Sequence, residues 1–292
     1  MIEILIEYTI GTDYNLQMTD KTIFNLTNKI ICITGGSRGL GKEMCLAFAE
    51  AGAAGIVIAS RKLQPCQILA TEINKSYPKC KTIGTACNVS KWEDCNQLYH
   101  TTMKNFNKCD VLVNNAGGSP LYPSLLDVSE KLFDKTLALN LKGPFRLSSL
   151  FGAKMCTQKN GGSIINISTS ATIFPNAQST IYGAAKSGIN YLTKAIANSY
   201  GPNVRCNCIM PGPFLTDISK AWDIPTQQKG WNKYVALQRA GKPREIVGAA
   251  LYFASDASSY TTGSILEVNG GGSGGSGFRD PRHTGKFGMG KL

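Results

Sequence analysis

The sequence predicts an α/β protein in which one mostly parallel sheet of seven strands is covered by helices on both faces. From Lys29 onward, short apolar runs alternate with longer amphipathic stretches. Most of the short runs are largely apolar, as expected of parallel strands buried on both faces. A repeating strand-helix order gives right-handed crossovers and therefore a single doubly wound sheet. A chain of 292 residues is long enough to bury one core of this size.

The elements follow from hydrophobic periodicity. Strands are predicted at 30–34, 55–59, 82–87, 111–113, 163–167, 204–209 and 264–268. Helices are predicted at 40–51, 65–76, 91–106, 129–154, 181–200 and 243–254. We expect residues 1–28 to form an N-terminal extension, residues 29–271 to form the main folded domain, and residues 272–292 to form a glycine-rich, basic tail.

Composition narrows the class of protein. Hydrophobic residues make up 42% and charged residues 17%, which is typical of a globular protein. No apolar run reaches the roughly 20 residues that span a bilayer, and no basic segment opens a secretory signal. We therefore expect a cytoplasmic protein without a membrane partner. The last three residues, 290–292, are similar to a peroxisomal signal but begin with glycine, so a peroxisomal location is the alternative.

Charge and cysteine content exclude two further classes. The formal net charge is +12, but no run of five basic residues occurs, so we expect no nucleic-acid partner. The ten cysteines are spread along the chain, several of them within strands, as expected of small apolar residues in a reducing compartment. Cys206 and Cys208 form the one tight pair. The sequence offers no second cluster and only two histidines, so we expect no metal site.

A glycine-rich loop joins the first strand to the first helix. Gly35 and Gly36 allow a sharp turn at the strand end, Gly39 allows close backbone approach to a pyrophosphate, and Gly41 allows the helix to pack close to the sheet. The free N–H groups of the first helical turn then face an anion. The loop therefore predicts a phosphate-binding site.

Four motifs in the expected order resemble those of the short-chain dehydrogenase/reductase family, and the resemblance runs from Lys29 to about Gly271. They are T-G-x-x-x-G-x-G at 34–41, N-N-A-G at 114–117, Y-x-x-x-K at 182–186 and P-G at 211–212. The resemblance implies a Rossmann fold. It also implies a dinucleotide bound by Gly35, Ser37, Arg38, Gly39, Leu40, Gly41, Arg61, Asn88, Val89, Asn115, Ala116, Gly117, Tyr182, Lys186, Pro211, Gly212 and Thr216.

The end of the second strand indicates which dinucleotide binds. NAD-selective proteins usually place a carboxylate there, to hold the ribose 2′-hydroxyl. This strand ends in Ser60-Arg61-Lys62 instead. Arg61 and Arg38 can both pair with a 2′-phosphate, so we expect NADP(H) to be the cofactor. Asn88 stands where the family commonly has Asp, and its carbonyl can still accept a hydrogen bond from the adenine amine.

Tyr182 and Lys186 are four residues apart on a predicted helix and therefore share one face. A nearby ammonium lowers the pKa of a phenol, which is about 10 when unperturbed. The resemblance makes Tyr182 the catalytic acid/base and gives Lys186 a second role in binding the nicotinamide ribose. The family's carbonyl-polarising serine falls at Thr169, with Ser170 as the alternative. Asn140 matches the asparagine of the family's proton relay.

These observations predict an NADP(H)-dependent oxidoreductase that interconverts a carbonyl and an alcohol by hydride transfer. The carbonyl can be a ketone, a sugar, a steroid or a 3-oxoacyl thioester. The alternative is a non-catalytic NADP-binding protein that senses redox state or binds a partner. The resemblance implies a homodimer or homotetramer and a substrate lid at about 213–240. This region contains the large apolar residues Phe214, Ile218, Trp222, Ile224 and Trp231, among others.

Overall fold

The computed structural model describes residues 23–175, 177–217, 219 and 223–272. Seven strands form one sheet in which every neighbouring pair is parallel, in the order β3-β2-β1-β4-β5-β6-β7. The predicted doubly wound fold is confirmed. The strands are β1 (Ile30–Thr34), β2 (Gly55–Ser60), β3 (Lys81–Ala86), β4 (Val111–Asn114), β5 (Gly162–Ile167), β6 (Val204–Pro211) and β7 (Ile265–Val268).

Eight α-helices are found among the described residues. They are α1 (Gly39–Glu50), α2 (Leu63–Ser76), α3 (Trp92–Phe106), α4 (Glu130–Leu137), α5 (Gly143–Cys156), α6 (Thr180–Tyr200), α7 (Ile224–Tyr234) and α8 (Val247–Ala254). The helix predicted at 129–154 is interrupted between α4 and α5 by a five-residue π-helical segment, Ala138–Lys142. Helix α7 had no counterpart in the predicted elements. None of the described helices is long and apolar enough to cross a bilayer.

Apolar layers cover both faces of the sheet. On one face, Met44 and Phe48 of α1 pack with Phe253 of α8 against the strands. On the other, Leu147 and Phe151 of α5 belong to a second fully buried layer. Strands β1, β4 and β5 lie between these layers, which explains why their sequences are largely apolar.

The ends of the chain fall largely outside the described residues. The predicted extension is described only from Ile23, and the predicted tail only at Gly272. Leu26 is fully buried in the core, and its N–H donates to the carbonyl of Ala51. The compact domain therefore begins before β1, because Leu26 covers the end of α1.

Candidate active site

The glycine loop follows β1 and leads directly into α1. Gly35 and Gly39 have φ angles of +64° and +54°, which side-chain-bearing residues rarely adopt. A Cβ on Gly41 would overlap the carbonyl oxygen of Gly35 and lie 2.7 Å from Nδ2 of Asn115. Helix α1 has no side-chain cap at its N-terminus and no acidic residue in its first turn. Its N-terminal amide groups are therefore suited to a phosphate.

The segment after β4 is fastened to this loop. Asn115 Nδ2 donates to the carbonyl oxygens of Thr34 and Gly35 at 2.9 and 3.0 Å. The hydroxyl of Thr34 accepts from the N–H groups of Asn115 and Ala116, both at 3.1 Å. These four bonds fix the glycine loop relative to Gly117, the next residue along the chain.

Two hydroxyl groups and two guanidinium groups lie around the end of β2. The Ser37 hydroxyl donates to the Ser60 hydroxyl at 3.1 Å, and Arg38 and Arg61 have exposed side chains. Neither arginine forms an ion pair with another described residue. Ser60 was not among the predicted site residues. The signal for it was its place at the end of β2, where a carboxylate would select NAD.

Asn88 and Val89 lie just beyond β3, at the same edge of the sheet. Asn88 Oδ1 accepts from the N–H of Ser90 at 3.2 Å, and the Asn88 N–H donates to Asp94 at 3.0 Å. Val89 is buried, and its carbonyl oxygen leaves no room for a Cβ on Gly143. The Asn88 side chain thus shapes its own turn, and Oδ1 keeps a second lone pair for another donor.

Asn140 is fully buried in the π-helical segment. Its Nδ2 donates to the carbonyl oxygens of Gly118 and Thr136, both at 2.9 Å, and its Oδ1 accepts from the N–H of Gly118 at 3.1 Å. A Cβ on Gly117 would lie 3.0 Å from Asn140 Oδ1 and 3.3 Å from Lys186 Nζ. Asn140 and Lys186 therefore flank the same glycine.

Helix α6 carries both Tyr182 and Lys186. The buried Lys186 Nζ donates to the carbonyl of Ile167 at 2.7 Å and lies 6.0 Å from the centroid of the Tyr182 ring. The Thr169 side chain, just past the end of β5, lies close enough to Tyr182 to favour ionisation of its phenol. At the start of α6, Tyr122 Oη accepts from the N–H of Ile181 at 3.1 Å. Tyr122, which the sequence gave no reason to select, thus fixes the start of this helix.

Burial dominates the ionisation of this pair. It lowers the pKa of Lys186 to about 8, an effect partly offset by the nearby Cys208. It raises the pKa of Tyr182, and the Thr169 side chain partly offsets this. The expectation of a lowered phenol pKa is therefore wrong for the protein alone, because desolvation outweighs the effect of Thr169.

The two candidates for the carbonyl-polarising hydroxyl occupy different positions. Thr169 lies beside Tyr182, and its Oγ1 accepts from the N–H of Ala171 at 3.3 Å. Ser170 is the first residue of the short 3₁₀ turn Ser170–Thr172. The geometry therefore brings Thr169, rather than Ser170, to the tyrosine.

The P-G turn and the region predicted to form a lid follow β6. Pro211 ends β6, and a Cβ on Gly212 would lie 2.8 Å from Cα of Asn269. Thr216 faces the glycine loop, since its side chain would lie 3.6 Å from a Cβ on Gly39. Leu40, in the first turn of α1, packs against the core.

The apolar side chains of this region have different environments. Phe214 is buried in the main core, and Trp231 packs with Val235 and Ala240 in a small separate cluster. Ile224, at the start of α7, is 39% exposed. Ile218 and Trp222 lie outside the described residues. In the described ranges, no three His, Cys, Asp or Glu side chains come together as metal ligands.

Comparison with known proteins identifies relatives along nearly the whole chain. The family model described as Enoyl-(Acyl carrier protein) reductase matches residues 35–273. Human dehydrogenase/reductase SDR family member 4 is 32% identical over 249 residues, covering 84% of this chain and 88% of the relative. The NADP-dependent mannitol dehydrogenase of Alternaria alternata is 33% identical over 256 residues, covering 86% and 94%.

A solved structure gives the same result. The short-chain type dehydrogenase/reductase of Mycobacterium marinum superposes with a TM-score of 0.79 at 30% identity, covering 85% of this chain and 97% of that one. The similarity thus extends over the sheet, the glycine loop and the helix that carries Tyr182.

Proposed function

The chain belongs to the short-chain dehydrogenase/reductase family of oxidoreductases, and we propose that it is an NADP(H)-dependent enzyme that interconverts a carbonyl and an alcohol, with Tyr182 as the acid/base. One observation carries this proposal: the Thr169 side chain lies close enough to Tyr182 to lower the pKa of its phenol, and the buried Lys186 lies 6.0 Å from the Tyr182 ring on the same helix. A redox sensor needs no such arrangement of two hydroxyls and an amine.

Each side chain has a distinct task in the proposed reaction. The nicotinamide ring, when bound, supplies or accepts the hydride. Tyr182 donates a proton to the substrate carbonyl oxygen, and Thr169 donates a hydrogen bond to the same oxygen. Lys186 is largely an ammonium at pH 7, because its pKa of about 8 lies above that pH. It favours the phenolate that is left when Tyr182 has given up its proton.

The groups around the end of β2 support NADP(H) rather than NAD(H). Two exposed guanidinium groups, Arg38 and Arg61, stand near the Ser37–Ser60 hydroxyl pair, and β2 ends without a carboxylate. These groups suit the charge and oxygen atoms of a 2′-phosphate. We expect kcat/KM for NADPH to exceed that for NADH by at least tenfold. Arg61→Ala should lower the ratio of kcat/KM for NADPH to kcat/KM for NADH, whereas the control Lys75→Ala, at the end of α2, should leave it unchanged. Equal kcat/KM values for the two cofactors in the wild type would contradict the proposal.

The acid/base assignment is tested with a panel of carbonyl compounds. The panel holds acetoacetyl-coenzyme A, 2,3-butanedione, fructose and a 3-oxosteroid, each assayed with NADPH. Tyr182→Phe should lower kcat on the best substrate by roughly 10²- to 10⁴-fold while the Kd for NADPH changes little, because the phenol acts on the substrate oxygen. Tight NADPH binding without turnover of any panel member by the wild type would favour the non-catalytic binding protein.

We also propose that the enzyme is a homodimer or homotetramer. An open apolar surface on α4, α5 and α6 supports this proposal, and it includes Leu137, Leu141, Phe145, Tyr191 and Leu192. Tyr191 is 74% exposed there, which is costly for so large a side chain facing water. Sedimentation equilibrium should report two or four chain masses for the wild type and a smaller species for Tyr191→Arg. A wild-type monomer would overturn this proposal alone.

A further inference from the structure

The position of the Thr169 hydroxyl depends on the short turn that follows it. The carbonyl oxygen of Thr169 accepts two hydrogen bonds from Thr172, one from its N–H at 3.2 Å and one from its hydroxyl at 2.9 Å. Together with the bond from the Ala171 N–H to the Thr169 hydroxyl, these contacts close the turn. The turn connects β5 to the segment that leads into α6 and has no regular sheet or long helix to hold it.

One side chain of α6 reaches this turn. Asn190 Nδ2 donates to the Thr172 hydroxyl oxygen at 3.2 Å, and Asn190 Oδ1 lies 3.7 Å from the thiol of Cys208 on β6. Asn190 is four residues beyond Lys186 and eight beyond Tyr182, so all three lie along one face of α6. The helix that carries the proposed acid/base is thereby bonded to the turn that carries its partner hydroxyl.

We propose that Asn190 is a positioning residue: through Thr172, it fixes the Thr169 hydroxyl against the Tyr182 hydroxyl, so that both can point at one substrate oxygen. The inference rests on the proposed function, in which Thr169 polarises the carbonyl. Asn190 itself touches neither of the two reacting hydroxyls among the hydrogen bonds of the described residues.

The direction of the bonds explains why an amide is needed. A hydroxyl has one hydrogen, and that of Thr172 can go to the Thr169 carbonyl at 2.9 Å or to Met210 Sδ at 3.8 Å. When Asn190 donates to the Thr172 oxygen, the hydrogen of the Thr172 hydroxyl is directed to the Thr169 carbonyl, and the two hydrogen bonds strengthen each other. The thiol of Cys208 favours the amide orientation that places Nδ2, rather than Oδ1, toward Thr172.

The test measures carbonyl reduction by the intact enzyme, using whichever panel compound the wild type turns over fastest. Asn190→Asp keeps the shape of the side chain but removes the donor, and Asn190→Leu removes both bonds. Each should lower kcat about 10- to 100-fold, whereas the Kd for NADPH, measured by its fluorescence, should change less than twofold. Thr193→Val is the matched control. Thr193 is a fully buried residue of α6 that bonds Asn166 and the carbonyl of Ile189, and its replacement should leave kcat unchanged.

A second measurement separates positioning from general stabilisation. If Asn190 acts through Thr169, Asn190→Leu should lower kcat little further in a Thr169→Val background, because the hydroxyl it positions is already absent. If the losses in kcat from Asn190→Leu and Thr169→Val multiply in the double variant, the inference alone is overturned. The same holds if kcat is unchanged in both Asn190 variants while Thr169→Val is impaired. Unchanged kcat in Thr169→Val and Tyr182→Phe, or no turnover by the wild type, would overturn the proposed function and the inference with it.

Discussion

A threonine stands where the family's serine is expected, and its side chain acts on the ionisation of Tyr182. Spacing alone left Thr169 and Ser170 as alternatives, because the conformation of the intervening loop decides which side chain faces the helix. The structure places Ser170 in the 3₁₀ turn and Thr169 just before it, at the end of β5. At the residue scale, the two candidate hydroxyls thus belong to adjacent residues in different backbone environments.

Replacing the two residues separately tests this assignment. Thr169→Val keeps the shape of the side chain but removes the hydroxyl, and we expect kcat to fall roughly 10²-fold, the usual loss for one oxyanion donor. Ser170→Ala should lower kcat less than threefold. Thr169→Ser should retain activity, since it keeps the hydroxyl and removes only a methyl group. Steady-state kinetics with NADPH measures all three, and the opposite order of losses would assign the role to Ser170.

The pKa of Tyr182 marks the limit of inference from single residues. The sequence shows that Tyr182 and Lys186 share a helix face, and the structure places them together on α6. The sequence does not show how deeply each side chain is buried, and burial is the largest contribution to both pKa shifts. Burial depends on Ile167 and its neighbours on β5, which are distant in sequence.

At the element scale, the interrupted helix between α4 and α5 gives the clearest difference from expectation. Apolar periodicity predicted one helix at 129–154, but a π-helical turn holds Asn140 against Gly118. Asparagine is a poor helix former, and Asn140 lies in the segment where the α-helix is interrupted. The π geometry depends on a loop 22 residues away in sequence, so local periodicity cannot reveal it.

The start of α1 provides the prediction at this scale. Gly41→Ala places a methyl group against the Gly35 carbonyl and Asn115, so the loop must open. We expect the Kd for NADPH, measured by fluorescence titration, to rise at least tenfold. Gly248→Ala in α8 is the matched control, because nothing lies within 4 Å of its added Cβ. That substitution should leave binding unchanged. Unchanged binding in Gly41→Ala would show that the loop does not cradle the phosphates.

Across the whole molecule, parallel strand order explains why the site was largely predictable. Every strand points the same way, so the residues that follow β1 to β6 meet at one edge of the sheet. The strand assignments alone therefore predict that Thr34, Asn115 and Thr169 lie at the same edge of the sheet. Contacts between segments without regular structure could not, and the bond from Asn190 to Thr172 is one of these.

Buried thiols give the fold a stability that depends on pH. Burial is the largest cause of a raised pKa at six cysteines, which are Cys32, Cys45, Cys80, Cys109, Cys206 and Cys208. For Cys32 the raised value is about 12. A group whose pKa is higher in the fold contributes stability in full below its unfolded pKa and loses it as pH rises, because only the unfolded thiols ionise. Lys186 has the opposite sign: its pKa falls to about 8, so its contribution improves between pH 8 and 10.5.

We therefore expect the free energy of unfolding to be lower at pH 9.5 than at pH 7.5, since six thiols with raised pKa values outweigh one lysine. Urea unfolding in the presence of a reductant measures this difference. Cys32→Ala should destabilise the protein at both pH values but reduce the difference between them by about 1 kcal/mol. Ser148→Ala removes a buried hydroxyl that does not titrate and should leave the difference unchanged. Lys186→Met should enlarge it, because the opposing contribution of Lys186 is gone. Greater stability of the wild type at pH 9.5 than at pH 7.5 would show that the thiols ionise within the fold, so that burial does not hold them protonated.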